Sequence, residues 1–387
     1  MDTPIVVAAY NRPDSLSRLL GSLSKANYGD YNVTLIISID YDEANSKVVE
    51  VAKSFNWSFG EKKLIIHKKN LGLRKHILSC GDLSLEYGSV LVLEDDLYVS
   101  PNFYSYGIAA QKFVSDNPMI GGISLYNHQI VPQTLYRFEA LEDGYDNYYL
   151  QYGASWGQIW SEKHWKEFKA WYTENPEVKS SNEIPANVSA WSEQSWLKFY
   201  TTYLIRTNKF FFYPKTSLST NFGEAGTHNN FSSSSFQVPL SINFTRTYSF
   251  VSIAESLNVY DAFFENLRLH RSLDSDSQQV NINLHGYKPI DFGKKYILTR
   301  LDLNDKVIRS YGLKLRPIEN NIFFNIPGND IHLYELSEKS YNIKRKEPFR
   351  FLEYNFRIMT LRDCKVMFHG IFLQRLRNLK HKIFGKF

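Results

Sequence analysis

The chain has 387 residues, 43% of them hydrophobic and 22% charged, an ordinary globular composition with room for two or three domains. Its two cysteines, Cys80 and Cys364, exclude a disulfide framework and a cysteine-based metal site, and no run reaches the ~18 apolar residues of a transmembrane helix. The net charge of +5 is uneven. From Lys344 onward twelve Lys/Arg stand against three Asp/Glu, a local +9, which leaves −4 for residues 1–343. Basic residues confined to a tail, with no recognition motif, argue against nucleic acid as a partner.

In chain order, Ile5 to Tyr10 reads as a strand. Asn11-Arg12-Pro13-Asp14 is a turn, and Asp14 or Ser15 is expected to cap the helix that follows, where Leu16, Leu19, Leu20 and Leu23 repeat at helical spacing. Val33 to Ile39 is a second strand, ending at Asp40. Ser46 to Phe55 is helical. Lys63 to His67 is a third strand, ending in Asn70-Leu71-Gly72, and Arg74 to Tyr87 is a helix. Ser89 to Leu93 is an apolar strand that stops at Glu94-Asp95-Asp96. This alternation predicts an α/β fold with a mostly parallel sheet between helices.

Further on, Phe103 to Asp116 is predicted helical and Ile120 to Leu125 extended. The stretch from Tyr145 to Trp171 is aromatic, with Trp156 and Gly157 in its middle. Trp191 to Tyr203 is a predicted helix and Phe210 to Pro214 a strand. A Gly/Asn loop with His228 leads into Ser232–Ser235, a lid or a plain linker. Past residue 250 come a helix near Tyr260–His270 and strands at Tyr296–Leu301, Val307–Leu315 and Ile331–Leu336. The expected division is therefore 1–250, with halves meeting near 125, then a small β-rich appendage at 251–343 and a basic, partly helical tail at 344–387.

In a parallel sheet the strand ends lie along one edge, where open α/β sheets bind ligands. Asn11, Arg12, Asp40, Asn70, Gly72, Arg74 and the acids 94–96 would meet in one cleft. Three adjacent carboxylates repel one another unless a cation offsets them, and a hard divalent ion on oxygen ligands is the simplest one. A nucleoside diphosphate suits such a cleft: main-chain amides and arginine take phosphate oxygens, and acids take ribose and base. Neither the dinucleotide fingerprint nor the P-loop is present.

These residues resemble the glycosyltransferases of the GT-A fold, the family-2-like bacterial members especially. The opening strand with Tyr10-Asn11-Arg12-Pro13, the Asn70-Leu71-Gly72 turn and the strand ending Glu94-Asp95-Asp96 follow the family's order. The acidic motif is similar to that of the Golgi N-acetylglucosaminyltransferase which opens the hybrid N-glycan pathway. A second match is Pro214 through Asn221-Phe222-Gly223 to Gly226-Thr227-His228. The resemblance covers roughly residues 4–235. It implies a metal-dependent, inverting transfer from a nucleotide sugar, UDP-linked, with Mn²⁺ or Mg²⁺. Asp96 would ligate the metal, with His228 as a second ligand or a diphosphate donor. Asp95 would meet ribose or metal-bound water, Glu94 would orient the motif, and Asp40 and Arg12 would face the nucleoside. Glu193, between Trp191 and Trp196, would be the catalytic base, one residue later than the family's usual aspartate. Trp156 and Gly157 would line a sugar, or Trp156 would belong to a core beneath the cleft.

Phe372, Leu376, Leu379, Ile383 and Phe387 form an apolar stripe with Lys and Arg largely off it. This is a basic helix suited to an anionic membrane surface, or one docked on the body. Pro4 to Ala8 already reads as a strand, so no secretory leader is expected. The expected setting is cytoplasmic, peripheral to the inner face of the membrane, on a glycan or polyprenyl-diphosphate-linked acceptor in bacterial surface polysaccharide synthesis. The competing readings are a catalytically inactive glycan-binding or scaffold protein of this fold and a sugar nucleotidylyltransferase. The latter normally needs a Gly-rich, Arg-containing loop after the first strand, and Asn11-Arg12-Pro13 does not supply one.

Overall fold

The computed structural model describes residues 3–223, 236–273, 279–337, 354–355 and 360–384, without the side chains of 374 and 377–384. His228 and Ser232–Ser235 lie outside the described residues. The first part runs β1 (Ile5–Ala9), α1 (Pro13–Leu23), β2 (Leu35–Ile39), α2 (Ser46–Ser54), β3 (Lys62–Ile66), α3 (Leu73–Asp82), α4 (Ser84–Tyr87) and β4 (Ser89–Glu94). β1 pairs in parallel with both β2 and β4, and β2 with β3. β1 and β2 are buried throughout, and β4 up to Leu93, so each reads as an uninterrupted apolar run.

The chain continues through β5 (Leu97–Val99), α5 (Phe103–Val114), β6 (Ile120–Ser124), β7 (Asn147–Leu150), β8 (Gln158–Ser161), α6 (Glu162–Glu174), α7 (Ala186–Ser189), α8 (Trp196–Arg206), β9 (Phe210–Pro214), β10 (Ser219–Asn221) and β11 (Val259–Tyr260). Nine strands make one sheet in the order β11-β7-β9-β6-β8-β4-β1-β2-β3. β8 lies antiparallel between β4 and β6, and β7 antiparallel to β9; the other pairings are parallel. The sheet's last strand comes from beyond residue 250.

Side chains alternate across the sheet, so each face has its own apolar layer. On one face Val7, Leu35 and Leu93 pack with Leu16, Leu19 and Leu20 of α1 and Tyr104 and Tyr106 of α5. On the other, Val6, Ile36 and Val92 pack with Ile77 of α3, Trp165 of α6 and Tyr200 of α8. Fully burying a leucine contributes about 2 kcal/mol, so the leucines of α1 hold it to the sheet.

A second sheet, ordered β12-β13-β15-β14, is built from β12 (Val280–Asn283), β13 (Tyr296–Thr299), β14 (Lys306–Tyr311) and β15 (Ile331–Glu335), with α9 (Asn320–Phe323) between the last two. It is tied to the large sheet by Glu265, whose buried carboxyl accepts from the amides of Leu284 and His285, both at 2.8 Å.

The helix expected near Tyr260–His270 is instead the short β11, a turn and a 3-10 segment at Leu269–Leu273. Asp261 Oδ1 accepts from the amides of Phe263 and Glu265, at 2.9 and 3.0 Å. Such local side-chain bonds compete with a helix. The helix expected over Arg74–Tyr87 divides at Leu83 into α3 and α4.

The terminal helix is present as α10 (Leu361–Phe384). Its described side chains are exposed, including Leu361 at 84% and Phe368 at 74%. Lys365, His369, Phe372 and Leu376 fall at i, i+4, i+7 and i+11 and share a face, so charge and apolar surface are not segregated in its first half. No helix among the described residues is long and apolar enough to cross a membrane.

Candidate active site

Because β1 and β4 are parallel neighbours in the register Ala8↔Glu94, the segments that leave them meet at one corner. The amide of Asp95 closes it by donating to the Ala8 carbonyl at 3.1 Å. Arg12 then spans two carboxylates. Its Nη1 donates to Asp96 Oδ2 at 3.0 Å and its Nη2 donates to Asp95 Oδ1. Burial works against the charge on Arg12, yet Asp95 and Asp96 raise its pKa above the usual value.

The acids differ. Asp95 is buried, and that burial, with repulsion from Asp96, pushes its pKa up to about 6 although Arg12 opposes the rise. Its Oδ2 is buried without a hydrogen-bond partner among the described residues. Glu94 is pushed up to about 8, by burial first and then by Asp96 and Asp95. Asp96 is more open than Asp95: its side chain is 22% exposed against 3%, and only its Oδ2 meets Arg12.

Asp40 is buried at the end of β2 and bonded to main-chain amides. Its Oδ1 accepts from the amides of Tyr41 and Leu71 at 2.9 and 2.8 Å, and its Oδ2 accepts from Gly72 at 3.0 Å. The carboxylate therefore holds the Asn70–Gly72 turn in place. Gly72 sits at φ +75, in the left-handed region that glycine tolerates. Asn70 Nδ2 donates to the Tyr41 carbonyl at 2.9 Å and Asn11 Nδ2 donates to Asp42 at 3.1 Å. Arg74 turns toward α8, its guanidinium 4.8 Å from the ring centre of Phe199.

Glu193 precedes α8 rather than opening it. Ser195 is the N-cap, its hydroxyl accepting from the Lys198 amide. The Glu193 side chain is 57% exposed and its carboxylate takes a 2.5 Å hydrogen bond from Lys198 Nζ. Trp156 is half-buried, its ring 4.5 Å from Tyr126 and 5.3 Å from Phe236. Gly157, at φ +95, stands just before β8, and a Cβ there would lie 3.1–3.3 Å from Leu125 and Leu93 side-chain atoms.

Sequence reasoning passed over Arg18 of α1. Its guanidinium lies 3.7 Å from the ring centre of Phe222, and the Phe222 amide donates to the Asp96 carbonyl at 3.1 Å. The available signal was a cation breaking the leucine pattern of α1.

No group of three or more His, Cys, Asp or Glu side chains converges as a metal site among the described residues. The donor set still suits a hard cation in part. Asp96 and the orphaned Oδ2 of Asp95 are the oxygens that would hold it, and phosphate and water would complete the shell.

No family model matches the chain, and no curated protein does. Among solved structures, it is similar to S. aureus TarS 1–349 at 16% identity and a TM-score of 0.35, covering 57% of this chain and 60% of that one. The same TarS fragment in complex with UDP-GlcNAc gives 16% and 0.33, with 57% and 58% covered. The mannosyltransferase PcManGT from Pyrobaculum calidifontis, in complex with GDP-Man and Mn²⁺, gives 11% and 0.29, with 42% and 44% covered. The chain thus spans less than two thirds of each.

Proposed function

We propose that the chain is a GT-A-type glycosyltransferase that moves a sugar from a nucleoside diphosphate to a glycan or lipid-linked acceptor with inversion. The observation that carries this reading is Arg12 joined to Asp95 and Asp96 at the edge of β1 and β4. It sits beside the amide-rich turn that Asp40 holds. Together they offer oxygen ligands for a cation, an arginine held beside them and a shaped turn, which are what a nucleoside diphosphate with its metal needs.

In the proposed step an acceptor hydroxyl oxygen attacks the anomeric carbon. The bond from that carbon to the phosphate oxygen breaks, its electron pair leaves with the nucleoside diphosphate, and Glu193 takes the hydroxyl proton. Lys198 orients Glu193. Arg12 and Arg18 bring positive charge to the side on which the leaving group gathers negative charge. A bound Mn²⁺ or Mg²⁺ would add Lewis-acid stabilisation of that charge. The basic tail would keep the enzyme at the inner face of a membrane carrying the acceptor, as in bacterial surface polysaccharide synthesis.

The test is hydrolysis of a panel of UDP- and GDP-sugars with and without Mn²⁺. Metal-dependent turnover that Asp96→Ala abolishes supports the reading; full activity in that variant refutes it. A second reading, an inactive glycan-binding protein, draws on Arg12 already occupying both acids of the pair. Failure of nucleoside diphosphates to bind would favour it.

A further inference from the structure

Beside the acid corner, the loop leaving β6 folds over a concavity that the transfer step leaves unused. Its volume is about 590 Å³, and Tyr126, Asn127, Gln129, Arg137, Lys215 and Gln237 are among its walls. That size lies within the roughly 300–1,000 Å³ of small-molecule sites.

The chemistry of the walls is specific. The cationic groups named are already paired inside the wall. Arg137 Nη1 meets Glu139 Oε1 at 2.8 Å, and Lys215 meets Asp143, with Glu142 at 3.9 Å. The other polar lining is largely amide. Asn127 Nδ2 is fixed on the Lys215 carbonyl at 2.6 Å, and the Gln129 side chain is exposed. The inner wall is His128, packed 5.1–5.7 Å from the rings of Tyr126, Tyr152, Tyr213 and Phe264. Burial pushes its pKa down to about 3, so it adds no charge. Amides and paired ions, with one acid in excess, offer donors and acceptors without net positive charge, which suits hydroxyl groups better than phosphates or carboxylates.

The cavity and the acid corner share one wall. The Asn127 amide donates to Ser217 Oγ at 3.0 Å, and Gln237 Nε2 donates to the Phe222 carbonyl at 3.0 Å. Phe222 is bonded in turn to Asp96, and β10 pairs with β5 directly after the acids. A molecule held in the cavity would therefore lie next to the acid corner.

We propose that this cavity is a subsite for an uncharged oligosaccharide, and, resting on the transferase reading, that it holds the acceptor's sugars behind the one being extended. The full chain is tested against immobilised neutral oligosaccharides of hexose and N-acetylhexosamine and against their uronic acid and sulfated counterparts. Gln129→Trp and Leu135→Trp fill the cavity from exposed positions, Leu135 being 53% exposed. UDP and GDP affinity is measured on the same samples. Neutral oligosaccharides should bind, and each substitution should weaken them at least tenfold while leaving nucleotide affinity unchanged. The proposal is overturned if no neutral oligosaccharide binds, if charged ones are preferred, or if both substitutions leave binding unaltered. Absence of UDP and GDP binding in the unsubstituted protein, with oligosaccharide binding as expected, would count against the transferase reading and leave the cavity's ligand class supported.

Discussion

Arg12 and Asp96 meet at 3.0 Å, one from the segment after β1 and the other from the segment after β4. The same guanidinium holds Asp95, so a single cation bridges two acids that would otherwise repel. Arg12→Ala leaves Asp95 buried and unpaired. Breaking a buried pair costs about 3–5 kcal/mol, and the partial exposure of Arg12 reduces this to about 2 kcal/mol. Urea unfolding should show that loss, and Asp95→Asn in the Arg12→Ala background should recover part of it.

Glu94 makes stability depend on pH. Its pKa rises from the ordinary 4.5 to about 8 in the folded state. The native protein then binds the proton more tightly than the unfolded chain, so this contribution is complete below about pH 4.5 and is lost as pH rises toward 8. Unfolding measured at pH 5, 6.5 and 8 should show a decline in the wild type that Glu94→Gln flattens.

Asp40→Asn tests the turn. An amide has one acceptor oxygen where the carboxylate has two, and its NH₂ would face a main-chain donor. The loss should be about 1–3 kcal/mol. Faster hydrogen exchange at the Leu71 and Gly72 amides would locate it at the turn, and unchanged exchange there would count against this role for Asp40.

Glu193→Gln should lower transfer by about 100-fold or more, the usual scale of general-base catalysis, with nucleotide affinity retained. Equal transfer rates in the two proteins would remove Glu193 from the mechanism.

Deletion after Lys365 should reduce co-sedimentation with anionic vesicles and leave the melting temperature of the body unchanged, because the described side chains of α10 are exposed. Unaltered sedimentation would argue that the exposed apolar residues meet something other than lipid.

The first half of the fold is legible because β1, β2 and β4 are apolar runs bounded by turn residues, and α1 repeats leucine at helical spacing. β7 and β8 were hidden inside the aromatic stretch. Tyr148, Tyr149, Ile159 and Trp160 are all buried, so both faces are apolar and no period separates strand from helix. At the site, the meeting of Arg12 with the acids follows from strand order. The occupation of Asp40 by three amides does not, since it depends on how the 70–72 turn folds back. The ion pair of Glu193 with Lys198 was equally out of reach, because the true helix starts five residues after Trp191.

The most direct test of the proposed donor site is calorimetry of UDP and GDP with Mn²⁺ on the wild type and Asp96→Ala. Binding should strengthen with metal in the wild type and fall at least tenfold in the variant. Equal affinity in both proteins, or none in the wild type, would contradict it.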